Sequence, residues 1–484
     1  MLFRHFWLRA VQLEWIGLVV LLPVTSLPLI VRLLGSDSVA APSGIFLLVI
    51  VVTWLLPYLL KNGTVPRQAL PFLGFVMVAL ISTCLASFGA VPPYKDASMI
   101  RQQIVAVLTL AVGTCFYLVA MLWPSDENRL VFTLKLINWS GLVVVGWALV
   151  QAFVWYAFER YPDWMRDFHE LYSIGPLNRQ RVLGFALEPS WLAHQLNMLY
   201  LPWWLAATAR RFSVHRLRFF GLSVENCLFA LGSVVLFFTL SRIGLLAYLL
   251  MLVYVLLQIT VWVSHRLSNW LTGRMSFRTI DKMRVLQWVR VAIIVSMGAL
   301  YLLGLYGVGY GLSQFDPRTA KLFEFDPGRQ YAIMYYAQQI NIVARLVYWQ
   351  AGWTIFNDFP WLGVGLGTAG FYMPSRLSDY AWGLIEVRLL LYRWTTLLNV
   401  KSLWVRILAE TGIIGFAFFL SWLYVFWVSA RWMEKSQRKL RATLGTMGVF
   451  LCLGLLLEGF SIDSFALPYI WFSLGLVTAA LRVK

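Results

Sequence analysis

The chain has 484 residues, of which 60% are apolar and 13% charged, with a net charge of +18. A soluble domain carries about 25% charged residues, so this composition excludes an ordinary soluble enzyme. No low-complexity tail or long Gly/Ser/Pro linker breaks the sequence, which reads as a single membrane domain over residues 1–484.

Apolar runs of about 20 residues, enough to cross a bilayer's hydrocarbon, recur from end to end. The first, Gln12 to Leu34, follows Arg4 and Arg9. It is too long for a signal-peptide core and lacks a small-residue cleavage site, so it reads as a retained span. The predicted spans centre on Val19, Val51, Met77, Leu110, Val144, Asn197, Val234, Leu250, Met297, Ala417, Leu453 and Leu474. This is an all-α polytopic fold of about twelve transmembrane helices.

The loops then assign sides. Lys61 and Arg67 follow the second span, Arg210, Arg211, Arg216 and Arg218 the sixth, and Arg266, Arg278 and Arg290 the eighth. Arg431, Lys435, Arg438, Lys439 and Arg441 precede the eleventh, and Arg482 and Lys484 come last. With twelve spans all of these share one side, which the positive-inside rule makes cytoplasmic, together with both termini. The positive excess therefore reads as topology and attraction to anionic membrane lipids. Nucleic acid is not an expected partner, because the basic residues are scattered over short loops rather than gathered on one face.

Cys84, Cys115, Cys227 and Cys452 all fall in apolar spans, with no CxxC, and read as small buried residues. Trp123, Trp155, Trp203 and Trp262 near span ends read as an aromatic belt.

Two loops are longer than helix connections require, and both lie on the outer side: Glu159 to Glu188 and Ser313 to Lys401. The larger mixes carboxylates and arginines, among them Asp316, Glu324, Arg329, Arg345, Asp358, Arg376 and Glu386. Long translocated loops escape the positive-inside rule. Salt bridges account for most of these arginines, and an anionic ligand held through a planar guanidinium for one or two. Arg242 is the sharper signal. In FFTLSRIGLLAYLL it stands between two apolar runs at the outer boundary of the membrane, where a charge is costly and is read as a functional site, the structural alternative being a side chain that snorkels to the outer head groups.

Four segments together resemble the bacterial O-antigen polymerase and O-antigen ligase superfamily of polytopic glycosyltransferases: RVLGFALEPSWLAHQL from Arg181, TLSRIGLLA from Thr239, RLVYWQAGWTIFNDFPWLGVGLGTAGF from Arg345, and KSLWVRILAETGIIGF from Lys401. They carry Arg181, Gly184 and Glu188-Pro189-Ser190; then Ser241, Arg242 and Gly244; then Arg345, Trp349, Pro360, Gly363, Gly365 and Gly367; then Glu410, Thr411 and Gly412. The resemblance covers residues 181–484, with the extracytoplasmic loop 313–401 inside it and residues 1–180 forming N-terminal helices. One departure stands out: the family's ligases usually carry His-Asn about nine residues before the Glu-Thr-Gly step, where this chain has Lys401-Ser402. Lysine is a poor general base at neutral pH, which tilts the reading from ligase towards polymerase.

The resemblance implies a glycosyltransferase of the C-type membrane class (GT-C). It would move an undecaprenyl-pyrophosphate-linked glycan to an acceptor glycolipid at the outer face of the cytoplasmic (inner) membrane. A lipid-glycan flippase and a chain-length regulator are the implied partner proteins. Loss of a pyrophosphate releases negative charge that fixed cations can stabilise. Arg242 and Arg345 are the expected catalytic cations, with Arg181 and Lys401 completing a pyrophosphate clamp. Glu188, at an exposed turn beside Arg181, is the expected base for the acceptor hydroxyl; its position before a helix also suits a carboxylate by dipole alone. Glu410 reads as structural, tied to Arg406 one turn earlier. The run Gly363, Gly365 and Gly367 is not a nucleotide loop, since no Gly-Lys-Ser/Thr follows; it reads as a tight turn or close backbone packing. No Asp-x-Asp stands in either outer loop, so neither a divalent metal nor another cofactor is expected. A secondary transporter would share the span count, but no half-to-half repeat supports one.

Overall fold

The computed structural model describes residues 2–34, 41–61, 63–274, 279–314, 317–328, 332–339, 342–394 and 396–483; Arg278, Asp316, Arg329 and Lys484 lie outside them. Most of this is helix. The strands among the described residues are a two-residue hairpin, Arg218–Phe219 against Leu222–Ser223.

Among the described residues, eight helices are long and apolar enough to cross a membrane: Ser43–Leu60, Arg67–Ala86, Met99–Leu122, Glu127–Phe158, Arg242–Leu267, Gln287–Gly311, Leu403–Met433 and Lys439–Glu458. Each contains one of the predicted centres. The other four centres also fall on helix: Val234 and Leu474 on the shorter apolar Val224–Phe238 and Pro468–Ala479, Asn197 within 189–210, and Val19 near the end of Leu2–Val20. The first span is thus displaced from the predicted run of Gln12 to Leu34. Its helix stops at Val20 because Pro23 cannot donate the next ladder hydrogen bond, and Pro28 opens a separate short helix, Pro28–Leu34. Prolines also shape two other spans. Pro57 and Pro202 each follow a π turn, Val51–Leu55 and Leu196–Tyr200, where the extra residue absorbs the lost donor.

Polar side chains set several starts. Asp126 accepts from the Arg129 amide at 3.0 Å and Ser223 from the Asn226 amide at 3.2 Å, as helix N-caps do. The predicted aromatic belt is only partly present. Trp262 is exposed, but Trp123 and Trp203 are core residues: Trp203 and Trp204 both donate to Asn138 Oδ1 at 2.9 Å. The four cysteines are free.

The chain forms two compact units, residues 1–248 with 347–484, and residues 249–346. In the first, hydrogen bonds sort the helix ends into two groups. One joins Ser26 to Ser173, Thr25 to Leu187, Arg181 to Thr239, Ser82 to Glu410, and Ser402 to Gly459. The other joins Arg210 to Glu434, Arg482 to Tyr58, and Arg441 to Leu481. Arg210, Arg441 and Arg482, read as cytoplasmic, fall in the second group, and the resemblance motifs of this unit in the first. In the second unit, Thr279–Ser313 follows the end of Arg242–Arg274, and Tyr301 donates to the Leu249 carbonyl at 3.2 Å.

Candidate functional site

Arg181 sits in an irregular stretch that the preceding helix fixes in place. Gln151, fully buried, accepts from the amides of Leu183 (3.1 Å) and Gly184 (2.9 Å) and donates to the Gly184 carbonyl (3.2 Å). Gly184 has φ +56°, a conformation that favours glycine. Held in this way, Arg181 Nε donates to the Thr239 carbonyl at 2.9 Å, and the neighbouring Val182 amide donates to the Phe238 carbonyl at 3.1 Å.

Thr239 closes Val224–Phe238, and the chain reverses at once through Leu240 and buried Ser241 into Arg242, the first residue of the next helix. The Thr239 hydroxyl holds the turn, donating to the Leu236 carbonyl (2.7 Å) and accepting from the Ser241 amide (3.3 Å). Two half-buried guanidinium side chains therefore flank one reversal, Arg181 at the negative end of one helix dipole and Arg242 at the positive end of the next. Gly244 is needed two residues later, since a Cβ there would lie 2.7 Å from that of Ala193. That contact brings the helix opening at Glu188-Pro189-Ser190 against the start of the Arg242 helix. Glu188 is exposed and accepts from the Ser190 hydroxyl at 3.1 Å.

Further along the same helix lies a buried polar group that sequence reasoning missed. Asn197 Nδ2 donates to the Gly244 carbonyl and to Glu458 Oε1, both at 2.7 Å, and His194 Nδ1 contacts Glu458 Oε2. Glu458, the last residue of Lys439–Glu458, is fully buried. The available signal was His194 and Asn197, three residues apart on an otherwise apolar helix, where buried polar groups need partners.

The next residue, Gly459, accepts from the Leu403 amide at 2.7 Å and from the buried Ser402 hydroxyl at 3.2 Å, fixing the turn that carries Lys401. Lys401 Nζ is 2.5 Å from Glu386 Oε1 and 5.0 Å from the centroid of the Tyr348 ring. Burial, reinforced by the Glu386 carboxylate, pushes the Tyr348 hydroxyl well up, so it stays neutral and donates towards Glu386 at 3.5 Å. Arg376 pairs with Asp358 at 2.8 Å. Arg181, Glu188, Arg242 and Lys401 thus share one end of the first unit. Arg345 is in the second, half-buried in the first turn of Val343–Asp358.

The glycine run and the Glu-Thr-Gly step form one backbone assembly. The amides of Val364 and Gly365 donate to the carbonyls of Ala409 (3.0 Å) and Glu410 (2.9 Å), and the Ile413 amide to that of Pro360 (2.8 Å). Gly363, Gly365, Gly367 and Gly412 all have positive φ. A Cβ on Gly363 would lie 2.5 Å from the Ala409 carbonyl oxygen, and one on Gly412 2.3 Å from that of Trp361. This is the close backbone packing that the glycines predicted. Gly412 breaks the helical path inside Leu403–Met433, which frees carbonyls for the loop amides. Glu410 accepts from Arg406 Nε at 2.8 Å and from the Gly367 amide at 3.0 Å, confirming its structural pairing.

Fold and site together define an all-helical polytopic membrane protein in which Arg181 is bonded to the turn that leads into Arg242. Residues 227–420 match the family model described as O-antigen ligase. This places that stretch in the O-antigen ligase/polymerase superfamily and supports glycosyl transfer of that general type. The match takes in Arg242, Arg345, Lys401, the glycine run and the Glu-Thr-Gly step; Arg181 and Glu188 precede it. No curated protein matches the chain.

Proposed function

We propose that the protein is a polysaccharide polymerase. It transfers an undecaprenyl-pyrophosphate-linked glycan to an acceptor lipid-linked repeat unit at the outer face of the bacterial cytoplasmic membrane. The observation that carries this is the joining of Arg181 to the turn that presents Arg242, at the helix ends opposite the basic loops. By the positive-inside rule those loops, and both termini, are cytoplasmic. The arginine pair then meets the outer leaflet, where a lipid diphosphate presents its charge.

In the reaction the acceptor oxygen bonds to the anomeric carbon and its proton passes to Glu188. The bond from that carbon to the diphosphate oxygen breaks, and the electron pair leaves with the diphosphate. Guanidinium groups fit a phosphate in bidentate fashion, and cations aimed at developing charge lower the barrier most in a water-poor site. Arg181 and Arg242 supply that charge, and the leaving group needs no divalent metal to neutralise it. Arg345 is a further cation on the strength of its chemistry and motif. Lys401 is a weaker contributor, since Glu386 already balances its charge.

The alternative is an O-antigen ligase that transfers the glycan to lipid A-core or another acceptor, and the family match fits either reading. Lys401-Ser402, in place of His-Asn, favours the polymerase. The glycan-lipid that accumulates in a deletion strain separates them. Single repeats on the carrier support polymerisation, long chains stranded on the carrier support ligation, and unchanged surface polysaccharide with no accumulation overturns both.

A further inference from the structure

The outer loop from Glu159 to Glu188 contains a ten-residue helix, Asp163–Tyr172, with three distinct faces. Met165, His169 and Tyr172 are buried against the first unit. Trp164, Phe168 and Leu171, at the same i, i+4, i+7 spacing, are 58%, 40% and 70% exposed. The remaining flank holds Asp163, Arg166, Asp167 and Glu170, all exposed. A helix of a purely water-facing loop would have no reason to segregate its exposed residues into an apolar and a charged flank. A helix lying at a membrane surface must do so.

Its depth agrees. The rings of Phe168 and Trp164 lie 5.1 and 6.5 Å from that of Trp147. Trp147 is in the span Glu127–Phe158, eleven residues before its end, which is about 16 Å back along the helix axis. The loop helix is therefore folded down beside the span rather than projecting beyond it. The same span leaves Val143, Val150 and Phe153 exposed as a lipid-facing stripe at helical spacing, so the apolar flank continues a surface that hydrocarbon already covers.

We propose that Asp163–Tyr172 is an interfacial helix. Its Trp164–Phe168–Leu171 flank is seated in the outer leaflet, its acidic flank lies in the aqueous layer, and it sets the depth of Arg181. The coupling runs through its buried face. The Tyr172 hydroxyl accepts from Trp147 Nε1 at 2.7 Å and lies 3.1 Å from the carbonyl of Gly184, in the stretch that carries Arg181. Only the last step, that Arg181 must reach a lipid diphosphate, rests on the function proposed above.

Nitroxide labels at Leu171→Cys and Glu170→Cys test the seating, in protein whose four native cysteines are replaced and which is reconstituted in phosphatidylethanolamine/phosphatidylglycerol vesicles. The label at 171 is expected to be relaxed mainly by dissolved oxygen and the label at 170 mainly by an aqueous nickel chelate. Equal nickel accessibility at both, or inaccessibility of 171 to both reagents, overturns the proposal; the second result would mean that protein covers the flank. Neither readout depends on glycosyl transfer. For the coupling, Phe168→Glu with Leu171→Glu is expected to raise the KM for lipid-linked donor tenfold or more with kcat within twofold. A loss confined to kcat would refute the role in setting depth.

Discussion

Arg181 Nε and the Thr239 carbonyl oxygen, 58 residues apart in sequence, are joined by a 2.9 Å hydrogen bond. The bond gives a helix-end carbonyl a cationic donor, a stabilising arrangement at a C-terminus. It also makes the stretch carrying Arg181 and the turn carrying Arg242 a single structural unit. Displacement of either is transmitted to the other.

The two cations Lys401 and Arg242 are expected to differ in weight. Lys401 is partly exposed and matched by Glu386, and such a pair is worth about 0–1 kcal/mol. Lys401→Ala should therefore slow transfer by less than about tenfold, the equivalent of roughly 1.4 kcal/mol. A loss beyond a hundredfold in steady-state kinetics would show that Lys401 itself touches the donor.

Gly412→Ala should destabilise the protein without touching substrate. With φ 62° and ψ −169° it occupies a region open essentially to glycine alone, at a cost of about 1–3 kcal/mol for any other residue. The 2.3 Å approach to the Trp361 backbone adds a clash that no rotamer relieves. The expected result is a lowered melting temperature in detergent and reduced membrane levels; wild-type stability would mean that the loop and helix are not held together as described.

The Arg406–Glu410 pair is nearly buried, and Arg406 Nη1 also donates to the Asp463 carbonyl. Removing one partner strands the other, which costs about 3–5 kcal/mol. Glu410→Ala and Arg406→Ala should each be strongly destabilising, and replacing both with Met should recover much of the loss. Additive losses in the double variant, measured by thermal unfolding, would argue against a direct pairing.

His169 gives the loop from Glu159 to Glu188 a pH dependence. Burial lowers its pKa from the ordinary 6.5, against smaller opposing effects of the Gly175 carbonyl and Glu170. The folded loop therefore holds it neutral, with Nε2 on the Gly175 carbonyl at 2.8 Å and Nδ1 within 2.9 Å of the Tyr172 hydroxyl. The unfolded loop binds the proton more readily, so its contribution to stability is complete above pH 6.5 and declines as the pH falls below that value. Protection from hydrogen exchange over residues 163–187, taken relative to the pH-dependent intrinsic rate, should fall between pH 7 and about 5.5, and His169→Gln should remove the dependence. An unchanged pH profile in that variant would assign it elsewhere.

Hydrophobic runs located the helices because each span's apolar length is a local property of the chain. The first helix was misplaced because an apolar run passes unchanged through Pro23 and Pro28, although the backbone cannot. Val224–Phe238 and Pro468–Ala479 fall short of the usual spanning length. The motif glycines announced close packing by their residue type, but not their neighbours. Ser82, which donates to the carbonyl of Glu410, is 328 residues away and outside the region of family resemblance. The His194–Glu458–Asn197 group was hidden for the same reason, since periodicity gives a helix a buried face without naming what it faces.

The most direct test of the central claim is polymer formation by purified protein in proteoliposomes supplied with a lipid-pyrophosphate-linked repeat. Arg242→Ala should insert and fold normally yet lose at least about a hundredfold in turnover, the scale set by removing one preorganised charge-stabilising group. Arg242→Lys should recover only part of that loss. Full-length polymer made by Arg242→Ala at the wild-type rate would contradict the account.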